Sequence, residues 1–535
     1  MDFDALRYNY PSRRNVIYGE KGMVATSQPL AAQAGLDILK KGGNAADAAV
    51  AVAAALTVLE PTSNGIGSDN FAIVCMKDKL YGLNSSGYAP AAISIKKLKE
   101  RGYDVIPKHG FIPVTVPGAP AGWAQLSERF GDLSLEDAMS PAIEYAQNGY
   151  PVAPTTSFYW QRALDTFSQS LKGEEFAYWF ETFAADGRAP APGEVVTLRD
   201  HAAALEEIAR TNAESFYRGS LAEKIGEFSK KYGGYLDTGD LAEYNSEWVQ
   251  PIGINYRGYD IWELPPNGQG IVALMALNIL KGFEFAEREN IRTYHLIIEA
   301  LKLAFADAQK YVTDPRCMKV SASGLLSSAY ADERRKLIGN TAMLPAAGDP
   351  QGGGTVYLCT ADSEGNMVSM IQSNYMGFGS GLVVPGTGIA LQNRGHNFSM
   401  DEDHDNCLAP RKRPYHTIIP GFMTKDGRAV GPFGVMGGFM QPQGHVQVIM
   451  NTLDFHMNPQ DALDAPRVQW VGGKKVEIEP HAALPIVRGL SAMGHEVSLM
   501  HDAGGFGRGQ IIWRDEDGTL CGGTEPRTDG YIAVW

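Results

Sequence analysis

The sequence predicts a mixed α/β protein, and three observations predict it. Two apolar runs, VYLCTA from Val356 and MVSMIQS from Met367, flank the turn Asp362-Ser363-Glu364-Gly365-Asn366, which is the pattern of a β-hairpin. Residues 28–41 read as a helix, with apolar residues at Leu30, Ala34, Leu36, Ile38 and Leu39, before Gly42-Gly43 stops the run. Helical patterns then recur in both halves of the chain, while strand patterns dominate from Thr355 onward.

Taken in order, Asn44 is placed to cap a second helix through Leu59, rich in small residues and so expected to be buried. Residues 60–69 read as turn, and 71–76 with 79–84 as a hairpin. Residues 91–250 alternate helical patterns, such as 200–211 and 221–232, with Gly/Pro turns. Residues 256–264 read as one strand, and 270–281 and 293–310 as helices. Residues 340–354 are poor in large apolar side chains and hold Pro345, Gly348, Pro350 and three further glycines. They read as a mobile connector. Helices return over 448–452, 459–465 and 484–493. No internal repeat or low-complexity tract interrupts this order.

The composition is 44% hydrophobic and 20% charged, as in a globular chain with a sizeable core. A net charge of −14 argues against nucleic acid and anionic membranes as partners. The most apolar stretch, 45–59, is too short to span a bilayer. The first 22 residues carry no apolar h-region and no small-residue cleavage site, so a cytoplasmic location is expected. Cys75, Cys317, Cys359, Cys407 and Cys521 are scattered without CxxC spacing and read as reduced. The chain has no HExxH, spaced Cys/His cluster, Walker A motif or GxSxG elbow, so no metal or other cofactor is expected. The glycine-rich segments 377–381 and 504–509 open no clear βαβ unit.

The chemistry concentrates at Gly352-Gly353-Gly354-Thr355. A glycine tract before a strand is by pattern alone most often an ordinary hairpin entry, and less often a strained peptide bond that breaks itself. If the chain breaks at Gly354–Thr355, the Thr355 hydroxyl becomes a nucleophile beside its own α-amine, whose pKa is about 7.7–8.0.

Many ordered motifs carry a resemblance. They include Gly42-Gly43-Asn44-Ala45-Ala46-Asp47, Glu60-Pro61 with Asn64-Gly65-Ile66-Gly67-Ser68, and Val116-Pro117-Gly118. Phe216-Tyr217-Arg218-Gly219, Pro265-Pro266-Asn267-Gly268-Gln269-Gly270, Arg413-Pro414, Gly437-Gly438 and Asp464-Ala465-Pro466-Arg467 follow. Over nearly its whole length the chain resembles the γ-glutamyltransferase family of N-terminal nucleophile hydrolases. That resemblance implies a four-layer αββα sandwich, cut at Gly354–Thr355 into a large subunit, 1–354, and a small one, 355–535. It implies Thr355 as nucleophile, Ser373 as the hydroxyl bonded to it, and Gly437 and Gly438 as the oxyanion hole. The partners implied are a small-molecule amide and the companion subunit, with a dimer of such heterodimers left open.

Departures from the family pattern bear on the substrate. Ser86 stands where family members that bind γ-glutamyl groups use an arginine. Tyr375 replaces an Asn, Asn397 an Asp, and His416-Thr417 a pair of serines. The zwitterion clamp has thus lost one cation and one anion, and a free α-amino acid would bind with poorly paired charges. Arg394 offers a carboxylate fork in a new place, unless Asp401 or Asp403 occupies it. His416 offers a donor, or is a satisfied core histidine. The runs 413–420 and 436–446 resemble the branch holding cephalosporin-acylase-like amidases and oxamate amidohydrolase. A small carboxylate-bearing amide is therefore the expected substrate. The alternatives are a γ-glutamyl hydrolase or transferase acting on glutathione-like molecules, and an uncleaved, non-catalytic binding protein.

Overall fold

A computed structural model describes residue 10 and residues 14–345 and 354–535. Residues 346–353, most of the expected connector, lie outside the described residues, as do most of the first thirteen. Two seven-stranded sheets face each other. One runs, edge to edge, Tyr531–Val534, Gly22–Thr26, Gly354–Asp362, Met367–Tyr375, Asp69–Met76, Lys79–Ser85 and Glu247–Val249. The other runs Ile17–Gly19, Leu520–Thr524, Arg508–Arg514, Arg428–Met436, Gly421–Lys425, Tyr259–Glu263 and Ile252–Tyr256.

Three apolar cores separate four layers. The helices Pro29–Lys40 and Ala45–Leu59 cover the first sheet, burying Val356 and Leu358 with them. Between the sheets lie Tyr357, Cys359, Phe71, Ile73, Ile371, Phe422 and Ile512. The helices Gly270–Leu280, Ile291–Tyr311 and Met440–Leu453 cover the second sheet. Alternation along the Gly354 strand, with even-numbered residues toward helices and odd-numbered ones toward the facing sheet, is the two-residue period of a strand buried on both faces. The expected αββα sandwich is the observed fold.

Local chemistry explains the ends. Asn44 caps the Ala45 helix and forms a reciprocal capping box with Asp47. The carboxylate of Asp362 accepts from the N–H groups of Glu364 and Asn366, closing the hairpin turn, and from Ala45 N at 3.0 Å. One side chain thus ties the hairpin to the helix that covers it. Among the described residues no helix is long and apolar enough to cross a membrane.

Three expectations need correction. Residues 256–264 form not one strand but a hairpin, Ile252–Tyr256 with Tyr259–Glu263, because Arg257 and Gly258 both take positive φ, 52° and 86°. The helix expected over 448–452 begins at Met440, since Pro442 sits in its first turn where no N–H is needed. Asp69, read as turn, opens a strand.

The sheets approach closely at Gly434. A Cβ there would lie 2.4–2.6 Å from the ring of Tyr357, which is buried and held through its hydroxyl by Ser369 at 2.8 Å. The ring cannot swing away, so Gly434→Ala should destabilise the fold by about 1–3 kcal/mol. A thermal melt unchanged from wild type would show that the sheets yield there.

Candidate active site

The Gly354 and Met367 strands pair antiparallel, with Gly354 opposite Tyr375 and Val356 opposite Gln372. Between those pairs Thr355 faces two residues, Ser373 and Asn374, which is a bulge on the partner strand. The bulge aims Ser373 at Thr355: the buried Thr355 Oγ donates to Ser373 Oγ at 3.2 Å. Ser373 Oγ also accepts from Tyr375 N at 2.7 Å, and Tyr375 adopts a φ of 76°.

Facing Thr355 from the second sheet is the end of the Arg428–Met436 strand. There Gly437 and Gly438 take φ of 133° and 60°, conformations that suit glycine. Among the described residues no acceptor takes either of their N–H groups. Gln269 fixes this loop by donating to Gly438 O at 2.8 Å and to Thr417 O at 2.6 Å. Gln441, in the first turn of the next helix, donates to Thr355 Oγ at 3.4 Å.

Beside Ser373 in the sheet stands Asp69. It is fully buried and gathers the charged part of the site. His416 Nε2 lies 2.9 Å from Asp69 Oδ2, and His416 Nδ1 accepts from Ile418 N at 3.4 Å. The second bond leaves the proton on Nε2, so neutral His416 donates to Asp69. Burial, with Arg394 and Arg413 nearby, holds its pKa well below the usual histidine range. Arg394 Nε lies 3.7 Å from the same Oδ2. Its Nη1 donates to Thr417 Oγ at 2.6 Å, and its guanidinium stacks over the Tyr375 ring at 4.6 Å. Neither Nε nor Nη2 has a hydrogen-bond partner among the described residues. Burial lowers the pKa of Arg394 to about 10, and raises that of Tyr375 to about 12. Burial also pushes Asp69 up to about 7, against the pull of Arg394, the Gly87 and Gly118 amides and Arg413.

The remaining expected residues are tied into their surroundings. Ser86 Oγ donates to Asn84 Oδ1 at 2.7 Å and accepts from Asn267 Nδ2 at 3.2 Å. Asn397 Nδ2 donates to Tyr415 O at 3.1 Å. Arg394 pairs with neither Asp401 nor Asp403, because it points inward to Asp69. Sequence reasoning missed Asp69, Gln269 and Gln441. Asp69 directly follows the quoted Asn64–Ser68 motif, and Gln441 directly follows Met440 at the start of a helix, but both depend on partners from distant parts of the chain.

One buried group elsewhere, His295, Glu299 and His495, brings three potential metal ligands within 4.8 Å. Lys302 bonds Glu299 Oε1 at 2.7 Å, and the charges of Lys302 and Lys474 oppose a further cation there. No such group lies at Thr355 among the described residues.

A family model described as gamma-glutamyltranspeptidase matches residues 31–535. A glutathione hydrolase-like YwrD proenzyme of Bacillus subtilis is 36% identical, covering 96% of this chain and 98% of the relative. An oxamate amidohydrolase proenzyme of Klebsiella pneumoniae is 32% identical, with coverage of 96% and 98%. A solved cephalosporin acylase from Bacillus halodurans superposes with a TM-score of 0.96 at 61% identity, covering 100% of this chain and 99% of that one.

Asp69 should be protonated below a pH of about 7 and ionised above it. An infrared titration should show a protonated-carboxyl band that disappears through this range and is missing in Asp69→Asn. A band absent at every pH above 5 would mean that Arg394 holds Asp69 ionised.

Proposed function

The chain belongs to the γ-glutamyltranspeptidase family and is an enzyme of amide hydrolysis or acyl transfer; from that premise we propose that it cleaves itself at Gly354–Thr355 and hydrolyses a small carboxylate-bearing amide. The observation that carries the substrate class is Arg394. It is a fully buried cation, beside the strand pair that presents Thr355, with two donor nitrogens left without hydrogen-bond partners. Such an unmet donor set costs free energy until an anion fills it. A substrate carboxylate can accept from Nε and Nη2 as a fork.

In the proposed reaction the Thr355 Oγ attacks the amide carbonyl, and its proton passes to the freed α-amine. The N–H groups of Gly437 and Gly438 receive the developing oxyanion. The C–N bond breaks, the amine leaves with the proton, and a water then cleaves the ester. His416 and Thr417 act at one remove. His416 donates its one N–H to Asp69, and Thr417 accepts from Arg394. Tyr375 supplies the ring face beneath the guanidinium.

Self-cleavage would leave residues 1–354 and 355–535 as subunits. They would stay interleaved, because the Gly354 strand pairs with Gly22–Thr26 and the Met367 strand with Asp69–Met76. The 36% identity to a protein named glutathione hydrolase-like favours a second reading, a γ-glutamyl hydrolase or transferase. Against it, Ser86 is bound to Asn84 and Asn267, and Asp69 Oδ2 is already shared by His416 and Arg394. Asp69 Oδ1 has no hydrogen-bond partner among the described residues, but it belongs to the one carboxyl that already serves His416 and Arg394, so an α-ammonium there would compete with Arg394 for a single acid. The alternative of a non-catalytic binder is set aside by the family's enzymatic character.

Intact mass should give two wild-type fragments, the smaller starting at Thr355, and one uncut chain for Thr355→Ala. In competition, a glutaryl amide or oxamate should be turned over faster than a γ-glutamyl amide. The reverse order would sink the carboxylate-only assignment, and an uncut wild-type chain would sink the nucleophile assignment.

A further inference from the structure

The proposed acyl-enzyme must lose Thr355 Oγ as a leaving group. Once the ester forms, Oγ has no proton to give, and the Ser373 hydroxyl, 3.2 Å away, can turn its own proton toward it, while Gly437 and Gly438 serve the carbonyl oxygen. Among the described residues Gln441 is the other polar side chain with a bond to Oγ, and unlike a hydroxyl it is a donor of fixed direction. It is fully buried, and the direction of its carboxamide is settled by its other contact. Ile419 N–H donates to Oε1 at 3.0 Å, so the oxygen faces Ile419 and the NH2 group faces Thr355. Thr355 Oγ therefore accepts from Gln441 and donates to Ser373. The two bonds fix the hydroxyl's orientation from both sides.

We propose that Gln441 is a further catalytic residue: its Nε2–H stabilises Thr355 Oγ as the ester C–Oγ bond breaks. This rests on Thr355 as the nucleophile. During acylation a donor on Oγ slightly weakens the nucleophile. During deacylation the same donor is complementary to the growing charge. Water's oxygen forms the new bond to the acyl carbon, the C–Oγ bond breaks, and the electron pair stays on Oγ. The proton that water gives up returns to Oγ through the Thr355 α-amine. Gln441 transfers no proton; it holds Oγ while charge resides there. The ester formed during self-cleavage has the same leaving oxygen.

The test uses two variants of the full chain. Gln441→Glu keeps an acceptor for Ile419 N–H and removes the donor to Thr355. Gln441→Met removes both. Each is mixed with a chromogenic glutaryl anilide, and acyl-enzyme on the small fragment is followed by quenched intact mass. In both variants kcat should fall about 10²-fold, as for the loss of one preorganised donor. Acyl-enzyme should accumulate, and the first-turnover burst should persist. Uncleaved precursor should build up to a similar degree in both. Loss of activity in Gln441→Met alone would overturn the proposal and leave Gln441 as a staple for Ile419. A kcat within threefold of wild type, or a loss without accumulated acyl-enzyme, would also overturn it. Failure of the nucleophile assignment itself is read separately, as a wild-type protein that forms no acyl-enzyme on Thr355.

Discussion

One strand pairing holds the candidate site together. The Gly354 and Met367 strands lie side by side, and the bulge at Ser373 and Asn374 decides which hydroxyl meets Thr355. Because side chains alternate along a strand, Thr355, Ser373 and Asp69 emerge on the same face, toward the gap between the sheets. A slip of one residue would carry Thr355 to the helix-covered face, among Val356 and Leu358. The apolar cores on both faces forbid that slip, so the packing of the sandwich is also what aligns the site. The pairs from Val356 to Ala361 do not involve Gly354. A break before Thr355 would free its amine and leave the strand in place.

The second constraint is electrostatic. Arg394, Asp69 and His416 are all fully buried, a costly arrangement unless each charge has a partner. The cost is limited by making one member neutral: His416 stays uncharged and spends its proton on Asp69. What remains is one cation and one carboxyl whose pKa is near neutrality. Arg394 is then incompletely compensated, with Thr417 and the Tyr375 ring as its other neighbours. A second carboxylate entering beside Arg394 would complete its shell, whereas an ammonium would have only the Asp69 carboxyl, which already serves His416 and Arg394. The proposed selectivity for anionic acyl groups rests on this imbalance.

Much of this was legible in the sequence. The helix bounds around Asn44 and the hairpin around Gly365 follow from caps and turns that act within a few residues. Motif order singles out Thr355, Ser373, Gly437 and Gly438 as candidates, and the fold brings Thr355 and Ser373 into contact. The sandwich itself came from resemblance, since helix and strand periods do not say which sheet faces which. Asp69 was not legible: an acid at the end of a Gly/Ser turn reads as a turn residue, and its meaning comes from His416 and Arg394, over 300 positions away. The same distance hid the true partner of Arg394. Acids within ten residues, Asp401 and Asp403, were the local choice, but the short helical turn Arg394–Asn397 buries the arginine.

Gln441 shows why hydrogen-bond direction, beyond proximity, decides chemical role. Thr355 Oγ touches two polar side chains, and contact alone would make them equivalent. The Ile419 amide pins one as a donor, and the Tyr375 amide occupies Ser373 as an acceptor. A hydroxyl between a fixed donor and an acceptor is held in one orientation, and it keeps the donor as charge develops once its proton has passed to the α-amine. The backbone at Ile419 and Tyr375 thereby sets the polarity of the reacting group. Both amides belong to segments flanking the Asp69–His416–Arg394 cluster, so substrate recognition and the orientation of the proposed nucleophile share one rigid frame.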